Sequence, residues 1–203
     1  MDKKNLAFTL AEVLITLGII GVVAALTMPA LIANYKKQEM VTRLKKTYNT
    51  LSNAVRRAEA DYGDYAEWDV AGDIGERAYF DKYWKPYLVI MKECTTWTQC
   101  GYKADAPWSN ADGTQITAAA VRGVGFVTPD GAYVNVRAFS GTSTAPSPLI
   151  MLDLNGPKPP NVLGRDYFQL NRNANGTITP QDIYSKKIIE DGWQIKDNYP
   201  IKI

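Results

Sequence analysis

The first third of the chain shows two consecutive hydrophobic patterns. Residues 13–33 form a run of 21 residues without a charged side chain. Because about 20 apolar helical residues at ~1.5 Å each span the core of a bilayer, this run predicts a membrane-spanning helix. In residues 34–62, apolar positions recur at steps of three and four, which predicts an amphipathic helix ending near Gly63. The apolar face consists of Val41, Leu44, Tyr48, Leu51, Val55, Ala58 and Tyr62.

From residue 63 onward, shorter apolar runs alternate with turn residues. Residues 124–128 and 132–139 are rich in β-forming residues and flank Asp130 and Gly131, which predicts a hairpin. We expect an α+β fold in which an antiparallel sheet of about four or five strands packs against one long N-terminal helix. Further strands are predicted at residues 149–154, 167–170 and 176–179, a short helix interrupted at Pro86 at 78–91, and a loop at 94–117. Residues 188–203 have no predicted element.

Composition removes several classes of function. The chain has 203 residues, a net charge of +2 and no histidine. Without histidine there is no Ser-His-Asp or Cys-His nucleophile and no histidine-containing metal site. The near-zero net charge argues against a strong binder of polyanions. The basic face of the amphipathic helix is interpreted as a solvated surface, with contact to lipid headgroups or DNA as the alternative.

Several residues in the apolar segment do not fit a simple membrane anchor. Glu12 lies at the start of the apolar run, where a carboxylate is costly unless it is paired. Gly18 and Gly21 lower helix propensity, and Pro29 removes a backbone donor and is expected to kink the helix. The apolar run continues directly into the amphipathic helix, which indicates that it is retained rather than discarded as a signal peptide.

Residues 3–12, Lys-Lys-Asn-Leu-Ala-Phe-Thr-Leu-Ala-Glu, resemble the prepilin cleavage and methylation signature of type IV pilins and type II secretion pseudopilins. The resemblance implies that a prepilin peptidase cuts between Ala7 and Phe8 and methylates the new amine of Phe8. Glu12 then becomes the fifth mature residue, the position of the family's glutamate. Ala7 stands where the family usually has glycine, although both residues are small.

Two further positions agree with this resemblance. Gly21 and Pro29 fall at mature positions fourteen and twenty-two, where pilins commonly have a helix-loosening glycine and a proline. The resemblance therefore assigns Glu12, Gly21 and Pro29 to assembly. It divides the chain into a cytoplasmic leader (1–7), a transmembrane and polymerisation helix (8–33), an amphipathic helix (34–62) and a globular head (63–203).

The resemblance also implies partners and a location. The partners are the prepilin peptidase, other pilin or pseudopilin subunits in a homo- or heteropolymer, and the pilus or secretion assembly machinery. We expect a single-pass protein of the cytoplasmic membrane with a cytoplasmic N-terminus and an extracytoplasmic head, which later enters a cell-surface or periplasmic filament. Lys3 and Lys4 favour this orientation, although Lys36 and Lys37 weaken the asymmetry. The type of filament and any binding of nucleic acid stay open.

A physical argument supports the role of Glu12. After cleavage, Phe8 would carry a charged amine in or near an apolar helix bundle, and a buried charge needs a partner. Glu12 is the only acid between Phe8 and Gln38. Pairing the amine of one subunit with Glu12 of its neighbour would neutralise both charges and fix the axial register. The alternative is a residue at headgroup level that merely reaches toward water.

Two candidate sites lie in the head. Cys94 and Cys100 are separated by five residues, and they could form a small disulfide loop if the head is exported or remain free thiols if it is cytosolic. Asp153, Asn155 and Asp166 supply oxygens that could hold Ca²⁺ as a cofactor. The alternative is a rigid loop in which these side chains bond to their own backbone.

A second polar run, between Asn171 and Asp182, has the spacing of an EF-hand loop. Its early ligand positions are uncharged, and Asn175 with Gly176 is a strong turn signal, so a hairpin turn is the preferred interpretation.

Three hypotheses follow. The first is a structural subunit of a pilus or pseudopilus, and the second is a membrane-tethered extracytoplasmic module that binds a ligand, with or without calcium, and does not polymerise. The third, a tethered enzyme, has no catalytic motif to support it.

Overall fold

The computed structural model describes residues 9–69, 71–103, 107–116, 123–137 and 149–201. The predicted leader and the bond between Ala7 and Phe8 lie outside these residues. The described part consists of one long helix, a six-stranded sheet and several short elements, which confirms the expected α+β layout, although the sheet has six strands rather than four or five.

Helix α1 runs from Leu10 to Tyr62 without a break, passing through Pro29. Thr9 caps its first turn, and Gly63 with a φ of 86° follows its end. Because a left-handed φ is strained for residues with a Cβ, glycine is the residue that suits this stop. The predicted end of the helix is therefore confirmed.

The second half of α1 packs on the sheet. Leu44 and Leu51 are each 1% exposed, and they belong to the main hydrophobic core with strand residues such as Val134 and Phe168. The predicted apolar face is buried from Val41 to Ala58, with Tyr48 half-buried. Tyr62 differs: its side chain is 43% exposed and contacts the Tyr83 ring edge-on at 5.1 Å.

All neighbouring strands of the main sheet are antiparallel, in the order β1-β4-β5-β6-β7-β8. The strands are β1 Lys92–Cys94, β4 Val124–Val127, β5 Tyr133–Val136, β6 Leu149–Asp153, β7 Tyr167–Arg172 and β8 Ile178–Pro180. A small second sheet pairs β2 Trp108–Ser109 with β3 Gln115–Ile116.

Both predicted hairpin turns are present. Strands β4 and β5 pair from Val124 opposite Val136 to Val127 opposite Tyr133. Between β7 and β8, the N–H of Gly176 donates to the carbonyl of Asn173 at 3.0 Å, and Gly176 has a φ of 76°. The turn interpretation of the Asn-rich run is confirmed. Its last position, Asp182, caps the next helix instead of closing a calcium loop.

The short helices differ from the prediction. The helix expected at 78–91 is interrupted before Pro86, as predicted, but it starts at Glu76, ends at Tyr83 and continues only as a 3₁₀ turn. Strand β1, which is only three residues long, and helix α4, which Asp182 caps, were not predicted. The helical elements after α1 are α2 Ala71–Ile74, α3 Glu76–Tyr83, α4 Ile183–Glu190 and the 3₁₀ turns Tyr65–Glu67, Lys85–Tyr87 and Trp97–Cys100.

The sheet is covered on both faces. Successive strand residues point to opposite faces, so Val134 and Leu152 join the core under α1 while Tyr133 and Met151 join a second core. Residues 94–103 and 107–116, expected only as loop, build this second core around Trp108. The described part of the C-terminal segment returns to α1, where the ring centroids of Trp193 and Tyr48 lie 5.4 Å apart.

We expect Leu51→Ala to lower the free energy of unfolding of the detergent-solubilised chain by about 2–5 kcal/mol, because it opens a cavity between α1 and the sheet. Denaturant titration followed by tryptophan fluorescence measures this change. Asn49→Ala, exposed on the same helix, is the matched control and should stay within about 0.5 kcal/mol of wild type. Equal effects of the two variants would contradict the packing described here.

Candidate functional site

The first half of α1 does not pack against any other part of the described chain. Its large apolar side chains are exposed, from Leu10 at 80% to Ile32 at 52%. The helix is long and apolar enough to cross a membrane, and the most apolar window is not buried within the chain. These side chains therefore need an apolar environment supplied from outside the monomer.

Glu12 takes part in a reciprocal cap at the start of this helix. The backbone N–H and the hydroxyl of Thr9 both donate to Oε2 of Glu12 at 2.8 Å, and the N–H of Glu12 donates to Oγ1 of Thr9 at 3.2 Å. This capping box was not predicted, although its sequence signal, a threonine followed three residues later by glutamate, is present. Among the described residues, Oε1 of Glu12 has no hydrogen bond, so one carboxylate oxygen is available to a further partner.

Gly21 and Pro29 have no packing role within the described chain. A Cβ built on Gly21 would meet nothing within 4 Å, and Pro29 lies on exposed helix. Proline cannot donate to the carbonyl four residues earlier, so the helix loses one hydrogen bond there. Any requirement for these two residues therefore arises from what surrounds the helix.

Residues 2–28 match the family model of the prokaryotic N-terminal methylation motif. The chain carries a type IV pilin-like prepilin cleavage and methylation segment. This pilin-like segment contains Ala7, Phe8, Glu12 and Gly21 and ends just before Pro29. A second match, to a family of unknown function (DUF6613), covers residues 30–128. No curated protein and no solved structure matches the chain.

The head contains the expected disulfide. Cys94 at the end of β1 is bonded to Cys100 at the end of a 3₁₀ turn, with the two Cα atoms 5.7 Å apart. Both residues are buried in the second core, beside Tyr102 and Trp108. The bond thus fixes the segment that covers the outer face of the sheet.

Asp153 is fully buried at the end of β6, on the same outer face. Its Oδ2 accepts hydrogen bonds from the Tyr102 hydroxyl and from Nε1 of Trp108, both at 2.8 Å, while Oδ1 has no partner among the described residues. Burial, together with the charge of Asp166, raises the pKa of Asp153 to about 8, against these two hydrogen bonds and the nearby backbone N–H of Asn155. Asp153 therefore holds the covering segment to the sheet as a largely protonated carboxyl at neutral pH.

The other two predicted calcium ligands lie in the loop after Asp153. The backbone N–H groups of Asn161 and Val162 donate to the two carboxylate oxygens of Asp166 at 2.8 and 2.7 Å. Burial raises the pKa of Asp166, although these hydrogen bonds oppose the shift. Nδ2 of Asn155 donates to the Pro159 carbonyl at 3.4 Å, and its buried Oδ1 is unpartnered.

These contacts favour the alternative of a loop that bonds to itself. Protein donors already occupy three of the four carboxylate oxygens of Asp153 and Asp166. In the described part of the chain, no three Asp, Glu, Cys or His side chains are grouped to hold a metal ion. Calcium binding stays a prediction.

A buried cation that sequence reasoning missed lies on the other face. Arg172 is 3% exposed, and its guanidinium carbon lies 4.9 Å from the Tyr65 ring centroid and 5.4 Å from those of Tyr79 and Trp84. Such cation–π contacts offset part of the cost of burying the charge. Arg172 therefore ties the segment after α1 to strand β7. No sequence pattern identifies it, because the rings come from separate elements.

We expect Asp153→Asn to change the pH dependence of stability. A folded pKa near 8, above the usual unfolded value near 4, means that the contribution of Asp153 is complete below about pH 4 and is lost as pH rises to 8. Between pH 5 and pH 8, wild type should lose about 2–4 kcal/mol relative to the variant, which cannot ionise. Parallel stability curves in denaturant titrations across this range would contradict the raised pKa.

If the loop binds calcium, millimolar Ca²⁺ should raise the Tm of the wild-type chain by several degrees relative to EDTA, because ligands that bind only the folded state stabilise it. The gain should disappear in Asp166→Asn and persist in Asp112→Asn, which removes an exposed acid from the β2–β3 turn. An unchanged wild-type Tm in Ca²⁺ would show that the loop needs no ion.

Proposed function

We propose that this chain is a structural subunit of a type IV pilus or of a type II secretion-type pseudopilus, processed by prepilin peptidase and assembled through its N-terminal helix. The observation that carries the proposal is the division of α1. One continuous helix exposes all its large apolar side chains in its first half and anchors the head with its second half. The processing motif lies at the start of the same helix.

The exposed half of α1 can be covered in two successive environments. In the membrane, lipid surrounds its apolar side chains. In a filament, the same residues of neighbouring subunits cover one another, so extraction from lipid does not expose them to water. In this proposal the heads face outward and stay folded during the transfer, because their cores do not use residues before Met40.

Glu12 supplies the charge that sets the register. Its Oε2 satisfies the cap at Thr9, and the remaining oxygen can accept a hydrogen bond from the methylated amine of Phe8 on a neighbouring subunit. Because each charge alone would be costly in an apolar bundle, the pair disfavours alignments in which the two groups do not meet.

The proposal includes the partners and location implied by the processing motif. Prepilin peptidase processes the subunit at the cytoplasmic face. The subunit stays in the cytoplasmic membrane with its head outside until the assembly machinery adds it to other subunits. Its role is structural rather than enzymatic.

A second candidate is a membrane-tethered binding module that does not polymerise. The unpartnered buried oxygens Oδ1 of Asp153 and Oδ1 of Asn155 favour it, because a bound ligand could satisfy both. This candidate predicts that residues 1–7 remain on the protein and that Glu12 can be replaced without effect.

Co-expression with a prepilin peptidase and its assembly machinery tests the proposal. We expect intact mass and N-terminal analysis to show loss of residues 1–7 and a methylated Phe8. We expect Glu12→Gln to keep the fold of the head but to reduce the yield of sheared filaments by about tenfold or more, because the amine loses its charged partner.

Thr16→Val is the matched control, since it changes a polar group one turn further along the same exposed helix without altering charge. It should form filaments at the wild-type level. A retained leader without filaments would instead support the tethered module, whereas full assembly of the Glu12→Gln variant would contradict the role of Glu12 in setting the register.

A further inference from the structure

The far end of α1 carries unpaired negative charge. Between residues 58 and 76 there are seven acidic residues and no lysine or arginine. Asp69 pairs with Lys82 at 2.6 Å, and Asp61 accepts from the Tyr87 hydroxyl at 2.6 Å. Asp64, Glu67 and Asp73 are exposed and have no ion pair or side-chain hydrogen bond among the described residues. We call these three residues the crown.

The crown is held rigidly on the head. Tyr65 lies between Asp64 and Glu67 and contacts the buried guanidinium of Arg172. Trp68 stacks on Tyr83 at 4.3 Å between ring centroids. Asp64 and Glu67 are therefore displayed from a packed segment rather than from a loose tail, and Asp73 lies in helix α2.

The membrane-proximal end of the head carries unpaired positive charge. Lys36, Lys158 and Arg165 line one cleft between the start of the amphipathic half of α1 and the loop after β6. All three are exposed, and none has an ion pair or a side-chain hydrogen bond among the described residues. We call these three residues the foot.

The acids in the same cleft are already satisfied. Glu39 pairs with Arg43 at 3.0 Å, and Asp130 pairs with Lys46 at 2.6 Å. Asp166 accepts two backbone N–H groups, as described above. The charge that the foot presents outward is therefore cationic.

Foot and crown lie at opposite ends of the head. Lys36 and Tyr62 are 26 residues apart on one helix, which corresponds to about 39 Å at 1.5 Å per residue. Arg56 and Arg57 lie between them near the crown, and Arg57 stacks on Tyr87. When subunits stack in parallel along an axis, the foot of one head must approach the crown of a head further along.

We propose that the foot of each head docks on the crown of another copy of this chain, through contacts of Lys36, Lys158 and Arg165 with Asp64, Glu67 and Asp73. The inference rests on the proposed filament function. The match of opposite, unpaired charges at the two ends favours a second copy over a lipid surface. Anionic headgroups would account for the foot, but they cannot reach a crown about 40 Å from it.

Charge reversal with compensation tests this contact in the full chain. The foot variant is Lys36→Glu with Arg165→Glu, the crown variant is Asp64→Lys with Glu67→Lys, and the third protein combines all four. We expect each reversal alone to lower filament yield by about tenfold or more, and the combination to recover to within about threefold of wild type, because opposite charges meet again. Lys186→Glu, exposed on α4, controls for reversal elsewhere on the head.

Cysteine cross-linking provides a second readout. Chains with Lys36→Cys and chains with Glu67→Cys, expressed together, should form a disulfide-linked dimer in filaments, whereas Lys36→Cys with Lys186→Cys should not. The inference is overturned if the foot variant and the crown variant both form filaments at the wild-type yield and the cysteines at positions 36 and 67 do not cross-link. A defect of the foot variant alone, without this cross-link, also overturns it and assigns the foot to lipid.

Failure of the proposed function has a different signature. In that case the wild-type chain and every charge variant alike give no filaments, the leader remains, and positions 36 and 67 do not cross-link in membranes, which overturns the docking contact as well.

Discussion

The structure depends on one constraint: α1 is a single helix whose two halves need different surroundings, an apolar environment outside the monomer for the first half and the sheet of the head for the second. Its second half buries one face against the sheet, where Leu44 and Leu51 are almost completely covered. Its first half buries nothing in the monomer, although it is the most apolar part of the chain. Because the helix is continuous, any force that moves the first half out of lipid moves the head with it.

The head meets this constraint by closing both faces of its sheet independently of the membrane segment. One face has α1, and the other has a covering segment held by the Cys94–Cys100 bond and by the hydrogen bonds from Tyr102 and Trp108 to Asp153. A buried carboxyl is costly, but here it accepts from two aromatic side chains that would otherwise be buried without partners. The second core thus keeps the head intact when the environment of α1 changes.

Hydrophobic periodicity and turn residues were sufficient to predict the elements that have a regular pattern. The end of α1, the β4–β5 hairpin and the turn at Gly176 followed from helical spacing and turn residues. The second core was not predicted, because Trp108 and Tyr102 lie in short irregular segments whose burial depends on contacts with distant strands. Two other features were not predicted from the sequence, for different reasons. The burial of Arg172 has no local sequence signal, whereas the Thr9–Glu12 cap has one, a threonine followed three residues later by glutamate.

Glu12 shows why the same residue can serve the monomer and an assembly. The cap at Thr9 uses Oε2, so pairing with an amine through Oε1 would not require the first turn of the helix to open. Gly21, in contrast to Glu12, makes no contact that requires its residue type: a larger side chain at this position would meet nothing in the described chain. In the proposed assembly, a glycine at this position would allow another helix to approach closely, at a cost in helix stability. In the proposed assembly, the Oε1 atom of Glu12 and the missing side chain of Gly21 are the features that a neighbouring subunit would use.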